Sequence, residues 1–269
     1  MSRQLLVTRN DIQLTTTSSV DDHQLPWLVM LHGLGCSKRD FRFLMDGLGE
    51  QFNCLALDLP GHGGSGPADR PGLDALAEAV VLALDEVFGS TRFAVLGHSM
   101  GGLLGLKIAA LLPNRIVGLA ILDSNLPVTR SGMDRNRAAL RSHGETDRWT
   151  MYLDHMVRSW GALDGSPEER EVLRTASQIS KPVALRLWSE IRKADGAQLW
   201  SAIRYPVLYL RSSREIELAA LEAANAQVES VDMLELGLGH WPHVRAPEEV
   251  LNELRPFLLR LEFGCPESP

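Results

Sequence analysis

Apolar residues in this chain fall into short unbroken runs, set off by glycine- and proline-rich turns, with stretches of helical spacing between them. Trp27–Leu31, Asn53–Leu57, Phe93–Leu96 and Ile116–Leu122 are apolar at nearly every position. Strands read this way when both faces are buried, as in a parallel sheet. Leu76, Val80, Leu84 and Val87 recur at three- and four-residue intervals after Pro71-Gly72, which predicts a helix to about Phe88. Further helices are predicted from Lys38 to about Gly49 and from Leu103 to Leu112, the second closed by Pro113. Two short strands, Leu5–Arg9 and Asp11–Thr17, are expected to open the chain around an Asn10-Asp11 turn. After Arg204 the alternation resumes with a strand at Tyr205–Leu210, a helix from about Glu215 to Ala226 and a strand at Ser230–Leu236. A last helix is expected from Pro247 to about Leu261. This is the rhythm of an α/β sheet with helices on its faces.

Between Ser124 and about Arg204 that rhythm stops. The segment reads as several helices broken at Gly144, Gly161, Gly165-Ser166-Pro167, Pro182 and Gly196. It holds Trp149, Trp160, Trp188 and Trp200, four of the six tryptophans, together with Met133, Met151 and Met156. Its Lys+Arg outnumber Asp+Glu by 13 to 10, whereas the whole chain carries −7.

Composition narrows the classes without choosing among them. With 269 residues, 45% hydrophobic and 23% charged, the chain is long enough for one large α/β domain with an insertion. The negative balance and the lack of any lysine or arginine run speak against a nucleic-acid partner. No apolar run is long enough to cross a membrane, and the first residues carry no signal-peptide pattern, so a cytoplasmic location is expected. Cys36, Cys54 and Cys265 are odd in number and lack metal-ligand spacing, which suits free thiols in a reducing compartment.

The chemistry concentrates after the apolar runs. The run at Phe93 ends in Gly97-His98-Ser99-Met100-Gly101-Gly102, and a helical pattern follows at once. Gly-x-Ser-x-Gly between a strand and a helix is the context of a nucleophile elbow, a tight turn that projects a serine hydroxyl from the sheet edge. Side chains at Gly97 and Gly101 would collide with the adjoining strand and helix, and the start of the following helix favours negative charge beside Ser99. The run at Trp27 ends in His32-Gly33-Leu34-Gly35, whose glycines let backbone turn toward the same edge. The N–H groups of Leu34 and Met100 are therefore the candidates for an oxyanion hole. His32 is read as a structural hydrogen-bonding residue and Asp58 as a loop-shaping one.

These residues carry a resemblance. His32-Gly33, Asp58-Leu59-Pro60-Gly61-His62-Gly63-Gly64-Ser65, the elbow and Gly239-His240-Trp241-Pro242-His243, in that order, resemble the α/β-hydrolase family over roughly residues 27–122 and 206–261. The resemblance implies an eight-stranded, mostly parallel sheet flanked by helices. It also implies a core formed by residues 1–123 and 205–269, with 124–204 as a helical cap roofing the site. Cap aromatics and methionines, Trp149, Trp160, Met133 and Met156 among them, would then line a substrate pocket.

A serine hydroxyl needs a base within reach and a group that orients the base. His240, in a glycine-flanked loop after the last strand, matches the family's histidine, and His243 is a candidate to support it. The family's acid commonly follows the seventh strand, where this chain has Ser212-Ser213-Arg214-Glu215, so Glu215 is the first candidate. Ser212-x-x-Glu215 also reads as a helix capping box, and Asp123, after the sixth strand, is the rival acid. The function implied is a serine hydrolase acting on a small, largely apolar carboxylic ester, thioester or lactone, with no cofactor or metal. Serine at position 99 speaks against the dehalogenases and epoxide hydrolases of this fold. Carbon–carbon hydrolases remain an alternative, as do menaquinone-pathway-like lyases, although those carry an arginine where this chain has Leu103. A non-catalytic receptor that keeps the capped pocket is the reading from a different class.

Overall fold

The apolar runs become neighbouring strands of one sheet, because only pairing on both edges satisfies backbone whose side chains are buried on both faces. A computed structural model describes residues 5–9, 12–16, 25–67, 70–126, 128–141, 150–151, 166–176 and 178–264. Its strands are β1 (Leu5–Arg9), β2 (Ile12–Thr16), β3 (Trp27–Leu31), β4 (Asn53–Leu57), β5 (Phe93–His98), β6 (Ile116–Leu122), β7 (Val207–Arg211) and β8 (Val228–Asp232). They lie in the order β1-β2-β4-β3-β5-β6-β7-β8. The six from β4 to β8 pair in parallel, while β2 runs antiparallel to both β4 and β1. The expected eight-stranded, mostly parallel sheet is the one that forms.

Alternation along the strands divides the core. Val29, Leu31, Val95 and Ile121 face one layer, which includes helices α2 (Leu73–Phe88) and α3 (Met100–Leu111). Leu28, Met30, Ala94 and Leu96 face the other, packed on α1 (Arg42–Leu48) and on the last helix, Pro247–Leu259. A strand covered on both sides has no polar face, which explains the unbroken apolar runs.

Between β6 and β7 the described helices are α4 (Arg130–Arg141), α5 (Pro167–Ala176), α6 (Lys181–Lys193) and α7 (Gly196–Ser201). Pro182 opens α6 instead of breaking a helix, as proline in a first turn is free to do. Helix α8 (Leu218–Ala224) follows β7, and α9 (Pro242–Arg245) and α10 (Pro247–Leu259) end the chain.

Two boundaries move from their expected places. The last strand begins at Val228, paired with Val207, and Leu234–Leu236 forms a 3-10 turn. The helix expected from Glu215 starts at Leu218, so Ser212 and Glu215 do not form its capping box. Backbone at Ser212–Arg214 is committed elsewhere, as the site shows. No helix among the described residues is long and apolar enough to cross a membrane.

Candidate active site

Ser99 stands in the turn between β5 and α3 with φ 53° and ψ −116°, a region that residues with side chains rarely occupy. The turn closes only because two neighbours lack Cβ atoms. One at Gly97 would come within 2.3 Å of the Gly101 carbonyl oxygen, and one at Gly101 within 1.9 Å of that of Leu31. The turn is pinned from β6, since the Ser124 hydroxyl donates to the Ser99 carbonyl at 2.7 Å. Met100 is the first residue of α3, where backbone N–H groups have no acceptor inside the helix.

His240 reaches the elbow from the loop between β8 and α9. Its Nε2 lies 2.8 Å from Ser99 Oγ and its Nδ1 2.7 Å from Asp123 Oδ2. With Nδ1–H donating to the carboxylate, Nε2 presents its lone pair to the serine. His98 Nε2, beside the elbow, lies 2.7 Å from the His240 carbonyl oxygen, which ties that loop to β5. His98, adjoining Ser99 in the turn, points away from it. Pointing away is what lets it hold the neighbouring loop. His243 is fully buried, stacked on Phe41 and close to His98, and meets the surroundings of Ser99 and His240 only through ring packing among the described contacts.

The partner of His240 is Asp123 and not Glu215. Asp123 follows β6, next to β5 in the sheet, and has φ 48°, which turns its side chain toward the loops. Its Oδ1 accepts the backbone N–H groups of Ser212 (2.7 Å), Ser213 (2.7 Å) and Arg214 (3.1 Å), and its Oδ2 accepts the Ser213 hydroxyl. The loop after β7 therefore supplies the donors that hold an acid from the adjacent strand, and it carries Glu215 outward to an exposed position. Ser212 donates its hydroxyl to the Gly239 carbonyl, joining this loop to that of His240. Burial pushes the Asp123 carboxyl up, but the hydrogen bond and charge of His240, the Arg214 guanidinium and the Ser213 hydroxyl outweigh it. The net result is a carboxyl held well below the usual carboxylate range. Burial lowers His240 well below an ordinary imidazole, and Arg214 lowers it further, against the opposing pull of Asp123.

Sequence reading missed Arg214. Its Nη2 lies 2.7 Å from His240 Nε2 and its Nε 3.8 Å from Asp123 Oδ2, with a side chain only 15% exposed. One imidazole lone pair thus faces two donors, the serine hydroxyl and the guanidinium. A lone arginine between two candidate residues gives no periodic or motif signal in sequence.

The cavity above Ser99 is small, about 40 Å³, and opens to solvent. Leu34, Cys36 and Trp241 line it from the sheet edge, Trp188, Ile191 and Arg192 from α6, and Asn125 from the chain leaving β6. Trp149, Trp160 and Met156 lie outside the described residues. Met133, half-buried on α4, is not among the lining residues. Gly132, Arg135 and Asn136 of α4 share one helical face on an adjoining recess, and Met133 sits about 100° round the helix from Gly132. Trp188 is the aromatic that the described part of the segment brings to the site. His32 keeps its structural part, with Nε2 accepting the Leu59 N–H at 3.0 Å, and Asp58 accepts the backbone N–H groups of Lys38 and Gly64.

Comparison with known proteins agrees with this architecture. The dihydrolipoyllysine-residue acetyltransferase component of the acetoin cleaving system of Pseudomonas putida is 39% identical over 98 residues, 36% of this chain and 26% of that protein. The pimeloyl-acyl-carrier-protein methyl ester esterase of Nitrosomonas europaea is 28% identical over 135 residues, 50% of this chain and 49% of that protein. The chain thus spans about a quarter and about half of these relatives. The enol-lactonase of Burkholderia xenovorans superposes with a TM-score of 0.72 at 20% identity, over 95% of this chain and all of that one, a likeness of fold. The model of the alpha/beta hydrolase family matches residues 28–253, most of the sequence. The chain belongs to the alpha/beta hydrolase family.

Proposed function

We propose that the protein is a serine hydrolase that cleaves a small carboxylic ester, thioester or lactone through an acyl-enzyme. The observation that carries this reading is the chain of contacts from Ser99 Oγ to His240 Nε2 and from His240 Nδ1 to Asp123, all at hydrogen-bond distance. Ser99 Oγ attacks the carbonyl carbon as His240 takes its proton, and Asp123 supports the imidazolium that forms. The N–H groups of Leu34 and Met100 hold the oxyanion; a missing donor in such a hole costs ~10²–10³ in rate. The leaving alcohol or thiol departs with the proton from His240. Water, deprotonated by the same ring, then releases the acid and restores Ser99. Residues 124–204 act as a cap over a core of 1–123 and 205–269. The apolar wall of Leu34, Trp188, Ile191 and Trp241 receives the substrate's hydrocarbon part.

Labelling by a fluorophosphonate tests the reading, because the probe reacts only with an activated serine. Wild-type protein is expected to label at Ser99 and to turn over members of a p-nitrophenyl ester, thioester and lactone panel. Absence of both labelling and turnover would leave the fold as a binding receptor.

A further inference from the structure

Helix α2 begins without a cap of its own, because Gly72, the residue before its first turn, has no side chain to accept an N–H group. The start of any helix leaves its first N–H groups without intrahelical acceptors and carries the positive end of the helix dipole. For α2 an acceptor comes from 117 residues away: Leu73, its first residue, donates its N–H to Glu190 Oε2 at 2.7 Å. Both Glu190 carboxylate oxygens lie over Gly72, 3.4 Å from where a Cβ would stand, in the space that a capping side chain would enter. The other oxygen, Oε1, meets Arg186 Nε at 2.6 Å, one turn back along the same helix.

Glu190 belongs to α6, the helix that walls the cavity. Trp188, Ile191 and Arg192 of α6 line the space above Ser99, whereas Glu190 does not. At 100° per residue Glu190 stands about 160° round the helix from both Trp188 and Arg192. These two share the opposite face, with the Arg192 guanidinium 5.0 Å from the Trp188 ring centroid. One face of α6 therefore holds the core while the other meets the cavity. Burial of Ala184, Leu187 and Trp188 also attaches α6, but apolar burial is non-directional, and the carboxylate bond adds direction. In a small cavity, a slight turn or shift of α6 alters the fit of whatever lies beside Ser99.

We infer that Glu190 is a positioning residue: by capping α2 from α6 it sets the height and rotation of α6 over Ser99, and so which acyl groups the site accepts. This rests on the hydrolase reading and deepens it, since it names the residue that fixes the specificity wall. Glu190 acts through Trp188, Ile191 and Arg192 and takes no part in bond making.

The test separates capping from positioning. Glu190→Ala removes both, and Gly72→Ser in that background returns a local cap to α2 without the tie to α6. Gly72 has φ 170°, extended backbone open to serine, and the atoms nearest its added Cβ are those of the carboxylate already removed. Hydrogen exchange followed by mass spectrometry, and kinetics on p-nitrophenyl esters from acetate to decanoate, read the outcome. Glu190→Ala is expected to speed exchange in the first turn of α2 and in α6, and to lower Tm by about 2–4 °C. It should change the decanoate-to-acetate ratio of kcat/KM about tenfold or more, chiefly through KM, with acetate kcat within about threefold of wild type. In the double variant α2 exchange and Tm should return toward wild type, while α6 exchange and the ester ratio stay altered. Glu190→Gln keeps an acceptor and loses the charge, so it should move the ratio the same way by less, and it serves if Glu190→Ala fails to fold. Unchanged α6 exchange, an unchanged ester ratio, or recovery of both together with α2 in the double variant overturns the inference. Failure of the hydrolase reading shows separately, as wild-type protein that neither labels with fluorophosphonate nor hydrolyses any ester. In that event faster α6 exchange in both variants still supports the docking, and its absence overturns it.

Discussion

The loops after β5 and after β7 end at the same sheet edge, yet they are specified in opposite ways. The β5 loop is set by its own residues: two glycines whose absent side chains let strand, turn and helix touch, and a serine forced to φ 53°. The loop after β7 takes its shape from a residue on another strand. Ser212, Ser213 and Arg214 turn their N–H groups onto Asp123. A turn governed by steric exclusion is written in local sequence, whereas a turn governed by a distant carboxylate is not. Hence the elbow is legible and the acid is not.

Removing Ser99 tests the locally specified loop and should have the largest effect. Ser99→Ala is expected to fold normally and to lose ~10⁶ in kcat, the scale of such nucleophile knockouts. Purified variant with more than a small fraction of wild-type turnover would overturn the serine mechanism.

Next come the two acids. Asp123→Asn should cost ~10⁴ in kcat, because the imidazolium loses its counter-charge and its preferred tautomer. Glu215→Gln, at an exposed position, should stay within about threefold of wild type, as surface changes away from a site usually do. The reverse ranking in steady-state kinetics would return the acid to the β7 loop.

The pH profile follows from the environment of His240. The base works when neutral, and burial with Arg214 lowers its pKa below the ordinary 6.5. The acidic limb of kcat/KM should therefore lie below pH 6.5, with activity held as pH falls through that value and lost further down. Arg214→Gln should move the limb upward. A limb at or above 6.5 in wild-type protein, with chemistry limiting, would show that the arginine does not act on the ring.

Ser213→Ala sharpens the contrast with the smallest expected effect. It removes one of five donors to Asp123 and leaves the three backbone N–H groups and His240 in place. A loss of roughly tenfold or less in kcat is expected, about the net worth of one ordinary hydrogen bond. A loss matching that of Asp123→Asn would mean that the hydroxyl, and not the backbone cradle, holds the acid.

The sequence by itself determined the sheet, because strands buried on both faces leave apolar runs that hardly read otherwise. It determined the elbow and the histidine loop for a related reason, since glycine is required where backbones approach closely. It did not determine which carboxylate meets His240. Asp123 and Glu215 both follow strands ending at that edge, and the choice depends on where three N–H groups of a neighbouring loop point. Nor did it determine the lining of the cavity. Tryptophan and arginine are legible as residue types, but which face of α6 turns toward Ser99 is fixed by packing between elements far apart in the chain. Trp188, Arg192 and Arg214 came together only through the tertiary structure, because no local rule of spacing links a helix of the insertion to the end of a strand.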